Sequence, residues 1–235
     1  MHILNLGEID AVAFDIDGTL YRNHNLYLRL IPHYLGNLRF FRKYNQVRKE
    51  LRARPENADG YSDFFATQKE LLAQKLCCTP QQAEEYLDKI VYSGLKKYFQ
   101  KIKPCRGAPK LISALKKAGV KIALLSDFPP EQKGELWGIK ENCDLLLSTE
   151  EIGALKPSAK PFEVLSQKLG VAPEKILYVG NRHAYDVEGP KNVGLKTAWF
   201  IPRIRGIFGC RSKLADITFC SYRQFERIIF NSASE

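Results

Sequence analysis

The 235-residue sequence predicts an α/β fold in which a parallel sheet flanked by helices is interrupted once by a helical insert. Three observations carry that prediction. Short apolar runs rich in Val, Ile, Leu and Phe end at polar or glycine turns, as strands buried on both faces do. Helix-like stretches lie between them, each closed by a glycine, which accepts the left-handed conformation just past a helix end. Residues 21–103 break the alternation, because they hold no fully apolar strand-like run and repeat their apolar positions at helical spacing.

The strand-like runs fall at 10–16, 121–126, 144–148, 175–179, 196–200 and 216–219. Helices are expected at 108–118, 159–169 and 185–193, closed by Gly119, Gly170 and Gly194. Strand, helix and strand repeated in this way read as βαβ units of one parallel sheet. Within the insert, Phe40, Tyr44, Val47 and Leu51 make one apolar stripe. Ser62 is placed to cap a helix reaching Leu76, and Thr79 followed by Pro80 starts another that runs to about Ile102. The stretch 53–60, Ala-Arg-Pro-Glu-Asn-Ala-Asp-Gly, reads as a loop. The expected organisation is an α/β core of residues 1–20 and 105–235 carrying a helical cap domain of residues 21–104.

Hydrophobic residues at 45% and charged residues at 26% match a globular protein and exclude fibrous or disordered chains. No apolar run approaches the length of a membrane span, and the first ten residues carry two acids and no basic start, so neither membrane insertion nor export is expected. The six cysteines form no Cys-x-x-Cys pair and no zinc-type cluster, which suits reduced thiols in a cytoplasmic compartment. A net charge of +10 favours anionic substrates or partners. The excess is local, since residues 22–54 hold nine basic residues against one acid, Glu50. That run reads as a solvated face, as a lid attracting an anionic substrate, or as a nucleic-acid or membrane-surface patch. Tyr27, Tyr34, Phe40, Phe41 and Tyr44 recur near helical spacing, which indicates a bundle interior and argues against base stacking.

The first strand runs into Phe14-Asp15-Ile16-Asp17-Gly18-Thr19-Leu20, so a period of two projects Asp15 and Asp17 to one side at its carboxyl end. Ligands bind at that edge in open α/β sheets. Paired carboxylates repel unless a cation or a shared proton offsets them, and a divalent metal is the simplest such cation. Thr19 can fix a carboxylate rotamer by hydrogen bonding. Ser126 brings a hydroxyl to the same edge, followed by Asp127, which is expected either to face the site or to cap a helix. Lys156 adds a cation ahead of a helix start, and the run 179–186, Val-Gly-Asn-Arg-His-Ala-Tyr-Asp, delivers Asn181 and Asp186. His183 in that run is expected to be solvated. Two acids, a hydroxyl, a lysine and a metal suit phosphoryl transfer.

These motifs resemble the haloacid dehalogenase superfamily of aspartate-nucleophile phosphatases and phosphotransferases. Asp-x-Asp-Gly-Thr-Leu at 15–20 matches the first motif, Ser126 the second, Lys156 the third and 180–186 the fourth. The resemblance implies a Rossmann-like sheet and an α-helical cap that selects a small phosphorylated substrate. It also implies that Asp15 is the nucleophile and Asp17 the acid and base, with Ser126 and Lys156 holding phosphoryl oxygens. Mg²⁺ would be held by Asp15, the main-chain carbonyl of Asp17, Asn181 and Asp186. The departure is Asn181, where the family has an aspartate, so weaker metal binding is expected. A catalytically weakened relative that binds an anionic ligand, nucleic acid or a partner through its basic cap is the alternative.

Overall fold

The computed structural model describes residues 6–231. Among them the strands are β1 (Ala11–Phe14), β2 (Lys121–Ser126), β3 (Leu145–Ser148), β4 (Ile176–Gly180), β5 (Lys196–Phe200) and β6 (Ile217–Phe219). All pair in parallel in one sheet of order β3-β2-β1-β4-β5-β6. The α/β class and the six predicted strands are therefore present. β1 is shorter than the run 10–16, because the chain turns away after Asp15, whose N–H still reaches the Val179 carbonyl at 2.9 Å. In register, Phe14 lies between Leu124 of β2 and Val179 of β4, so residues following these three strands converge on one edge. The strand order reverses direction at β1, and that is where an open α/β sheet forms a crevice.

The insert contains α1 (Asn23–Gly36), α2 (Leu38–Ala53), α3 (Glu56–Asp59), α4 (Phe64–Leu76), α5 (Pro80–Tyr86) and α6 (Ser93–Phe99). The core helices are α7 (Ala108–Lys117), α8 (Thr149–Ile152), α9 (Lys160–Leu169), α10 (Gly189–Lys191), α11 (Arg203–Ile207) and α12 (Tyr222–Asn231). Alternation along β1 sorts the two sides of the sheet. Ala11 and Ala13 pack with Phe162 and Leu165 of α9, while Val12 and Phe14 join the larger cluster. That larger cluster continues without a break into Tyr44, Val47 and Leu51 of α2, Leu72 of α4 and Val91, so insert and sheet share apolar contacts. None of the described helices is long and apolar enough to cross a membrane, and all six cysteines are free thiols.

Four local expectations are corrected. Asp63, and not Ser62, caps α4, its carboxylate accepting the Ala66 N–H at 2.9 Å, because a carboxylate is the better acceptor at a helix start. The helix begun by Thr79 does form with a reciprocal capping box, but residues Leu87–Tyr92 widen into a π-helical turn that divides α5 from α6. The stretch predicted as a helix at 185–193 starts earlier, at His183, as a π-helical turn through Glu188. The 53–60 loop contains α3, and its Asn57 is buried.

Asn57 fastens the insert to the core. Its side-chain carbonyl accepts the Leu155 N–H at 2.7 Å and its amide donates to the Leu155 carbonyl at 3.0 Å. Two buried backbone groups would be orphaned without it. Asn57→Ala should therefore lower unfolding stability by about 2–4 kcal/mol in urea titration. A loss below about 0.5 kcal/mol, the scale of an ordinary surface substitution, would show that the clamp holds nothing.

Candidate active site

The turn after β1 is built around Asp15. Gly18 has φ +91°, and a Cβ there would run into the side chains of Asn181 and Asn23, so the turn requires glycine. It brings the Thr19 hydroxyl back to Asp15 Oδ2 at 2.9 Å. The other carboxylate oxygen, Oδ1, accepts from Lys156 Nζ at 2.8 Å. Lys156 Nζ also donates to Asp186 Oδ1 at 3.0 Å and to the Tyr178 hydroxyl at 3.1 Å. Tyr178 in turn donates to the Leu125 carbonyl at 3.1 Å, which fixes it against β2.

All three ionic groups of this triad are buried. Burial works against the ammonium charge of Lys156, but Asp15 and Asp186 outweigh it and hold the pKa well above the ordinary lysine range. Burial pushes Asp15 up to about 7 against the pull of Lys156, with Asp186 and Asp17 adding to the rise. One lysine does not fully compensate two buried carboxylates. Further positive charge beside Asp15 would favour its ionised form.

Asp17 turns away from that triad. Its carboxylate takes Lys133 Nζ at 2.8 and 2.9 Å and the Tyr21 hydroxyl. Lys133 is itself buried, with Nζ 3.9 Å from the centre of the Phe99 ring. Burial, then the charge of Asp17, raises the pKa of Tyr21 well above the usual range and keeps its proton in place.

Asp186 serves the turn after β4. Its Oδ2 accepts the N–H groups of Asn181 and Arg182 at 3.1 and 2.8 Å, so both of its oxygens are engaged. A Cβ at Gly180 would collide with Asp186, which is why the turn can close so tightly. The Asn181 side-chain carbonyl lies 3.4 Å from the Thr19 hydroxyl, so Thr19 sits between Asn181 and Asp15. Ser126 is fully buried at the end of β2, with a hydroxyl that has no hydrogen-bond partner, and it does not border the cavity described below. His183 is held by Glu188 and Ser212, outside that cavity.

Asp127 accepts Arg52 from α2 at 2.7 Å and the Thr149 hydroxyl at 3.1 Å. Burial alone would raise its pKa, yet Arg52, Lys156 and Arg48 bring it down to about 2. Arg52 also donates to the Lys156 carbonyl at 3.1 Å, tying the insert to the lysine that serves Asp15. Arg48, buried on the same helix face, pairs with Glu150, which also takes the Tyr92 hydroxyl at 3.0 Å. The basic run thus divides: Arg48 and Arg52 point into the protein, while Arg29, Arg39, Arg42 and Lys49 are exposed.

Between insert and sheet lies a cavity of about 1160 Å³ bordered by Asp15, Asp17, Lys156 and Asp186. Arg52, Lys133 and Arg182 border it too. Lys133 and Tyr21 were missed in the sequence, since Lys133 lies in a Pro-rich turn with no recognisable spacing. Arg52 carried a usable signal, because it falls at the eighth position after Tyr44, on the apolar stripe of α2, where an unpaired cation is out of place.

Magnesium takes oxygen ligands, and Asp15 and Asn181 supply oxygens on either side of Thr19. A carboxylate and an amide carbonyl are oxygen donors of the type a hard cation takes. Among the described residues, no three His, Cys, Asp or Glu side chains are grouped to hold a metal ion.

The family model for haloacid dehalogenase-like hydrolases matches residues 9–194. The chain is 26% identical over 202 residues to the pyrophosphatase PpaX of Halalkalibacterium halodurans, covering 85% of this chain and 86% of that protein. It is 27% identical over 207 residues to the glyceraldehyde 3-phosphate phosphatase of Pyrococcus furiosus, covering 82% and 80%. It is also 25% identical over 231 residues to the (S)-2-haloacid dehalogenase of Pseudomonas sp. strain YL, covering 97% of each. Among solved structures, the phosphatase from Thermococcus onnurineus shares its fold with a TM-score of 0.61 at 21% identity, over 94% of this chain and 97% of that one. The match over 9–194 makes this chain a member of the haloacid dehalogenase-like hydrolase family, and an enzyme of that type.

Proposed function

We propose that the protein is a phosphomonoester hydrolase that works through an aspartyl-phosphate on Asp15. The observation that carries this reading is the division of labour between the two first-motif carboxylates. Asp15 is held by Lys156 and Thr19 beneath the cavity, while Asp17, on separate partners Lys133 and Tyr21, is free of that triad. A carboxylate oxygen of Asp15 attacks phosphorus, and the bond to the alcohol oxygen breaks as Asp17 gives that oxygen its proton. Asp17 then takes a proton from the water that attacks the aspartyl-phosphate, which releases inorganic phosphate and regenerates Asp15. Lys156 holds Asp15 in line and, with Arg182 at the mouth, offers positive charge to the phosphoryl oxygens. Ser126 has an unpaired hydroxyl but lies fully buried outside the cavity, so this reading gives it no phosphoryl contact.

Mg²⁺ is part of the reading. Asp15 and Asn181 would hold it, with Asp186 acting through Lys156 and the turn amides. Such an ion supplies charge neutralisation for the phosphoryl group. The relatives named for phosphatase and pyrophosphatase activity support phosphate chemistry. A dehalogenase relative is equally similar, and Asp17 with its two dedicated partners favours phosphoryl transfer over it, since a leaving alkoxide needs an acid and a leaving halide does not.

Phosphate release from a panel of phosphorylated metabolites, with and without EDTA, tests the assignment. Asp15→Asn should abolish turnover while circular dichroism still shows the folded α/β chain, and turnover near wild type would overturn the assignment. Lys133→Met should lower kcat by about tenfold or more, the low end of acid–base contributions, with little change in KM. An unchanged kcat would remove Lys133 from the reaction. Asn181→Asp should lower the Mg²⁺ concentration for half-maximal rate, because a carboxylate binds a divalent ion more strongly than an amide carbonyl. If the half-saturation point stays the same or rises, residue 181 is not a ligand.

A further inference from the structure

The phosphoryl chemistry uses only the charged floor of the cavity. Above it the lining follows α1 in two adjoining rows, Leu26, Leu30 and Tyr34 in one and Tyr27, Ile31 and Leu35 in the other. Each row has a spacing of four, so both lie on one side of the helix. Positions 26 to 35 cover roughly 13 Å of helix axis at the standard rise. None of the six carries a charge. Phe41, Leu95 and Phe99 complete this half of the lining. Exposure climbs along the first row, from 6% at Leu26 to 38% at Tyr34, while the second is open throughout, at 61% for Tyr27, 48% for Ile31 and 64% for Leu35, so one row carries the apolar wall from the buried end out to solvent and the other forms its open side.

A phosphate ester of a small polar alcohol would fill the floor and leave this wall against water. The two ends of the cavity differ in chemistry. Lys133, Lys156 and Arg52 meet an anion at the base, and uncharged side chains line α1. The volume also exceeds the usual range for small-ligand sites, about 300–1000 Å³.

We propose that the substrate is amphiphilic, a phosphomonoester whose alcohol is an extended apolar chain lying along α1 with its phosphate on Asp15. This rests on the reading of Asp15 as the phosphoryl acceptor. It specifies that Leu30, Ile31 and Phe41 select the substrate by burying methylene groups. Apolar burial rises with chain length, so affinity must rise with it until the far end of α1 is reached.

The test is calorimetric binding of straight n-alkylphosphonates, ethyl to decyl, kept below their micelle concentrations, to the full-length protein. Because phosphonates are not hydrolysed, the readout is independent of turnover. Kd is expected to fall roughly three- to fourfold per added methylene before levelling off. Ile31→Asp and Leu30→Asn should each flatten that slope, and two separate variants guard against one that fails to fold. A flat wild-type series overturns the proposal. So does a flat series accompanied by a dimer in sedimentation that Ile31→Asp dissociates, since the wall would then be an interface between copies. Graded phosphonate affinity without hydrolysis of any alkyl phosphate would leave the binding half standing and defeat the phosphatase reading, whereas hydrolysis with flat affinity does the reverse.

Discussion

The buried ammonium of Lys156 between Asp15 and Asp186 is the interaction on which the rest of this site depends. Two carboxylates and one lysine, all out of water, hold each other in place because each is desolvated and none has solvent to replace its partner. Removing one member of such a set costs about 3–5 kcal/mol, since it strands charge in the interior. The surrounding geometry serves the triad. Tyr178 orients the lysine from β4, the Asn181 and Arg182 amides anchor Asp186, and Thr19 takes the second oxygen of Asp15. The glycines at 18 and 180 are where backbone must come close enough for these bonds to form.

The second constraint is the seam between insert and sheet. Apolar contacts run from Val12 and Phe14 of β1 into Tyr44, Val47 and Leu51 of α2, and polar clamps lie over them. Asn57 holds Leu155, Arg52 holds Asp127 and the Lys156 carbonyl, and Arg48 holds Glu150. The helix that lines the cavity wall is therefore joined to the helix that carries Arg52, and Arg52 to the loop that carries Lys156. Substrate shape along α1 and charge at Asp15 are read by parts of one connected structure.

Much of this was legible in the sequence. The strands could be read because both faces of the sheet are covered, which makes each a short apolar run; the first motif, because its spacing puts two carboxylates on one strand end. What escaped were contacts made by distant side chains. Lys133 reaches Asp17 across 116 positions of sequence, and no local pattern reports such a pair. Asn57 looked like a loop residue because its partners are backbone groups of Leu155. The π-helical turns at 87–92 and 183–188 were hidden for a different reason, since a widened turn keeps nearly the same apolar spacing as an α-helix. Asp186 was legible as a site residue from its motif, but its bonds to Lys156 and two main-chain amides were not.

The central claim is that Asp15 accepts the phosphoryl group. Mass analysis of the peptide bearing Asp15, after wild-type protein is mixed with a hydrolysed phosphomonoester and quenched in acid within its first turnovers, tests it most directly. That peptide should carry the mass of one phosphoryl group, lost on treatment with hydroxylamine and absent from Asp15→Asn. Steady phosphate release with an unmodified Asp15 peptide throughout, or the same added mass in Asp15→Asn, would contradict the account.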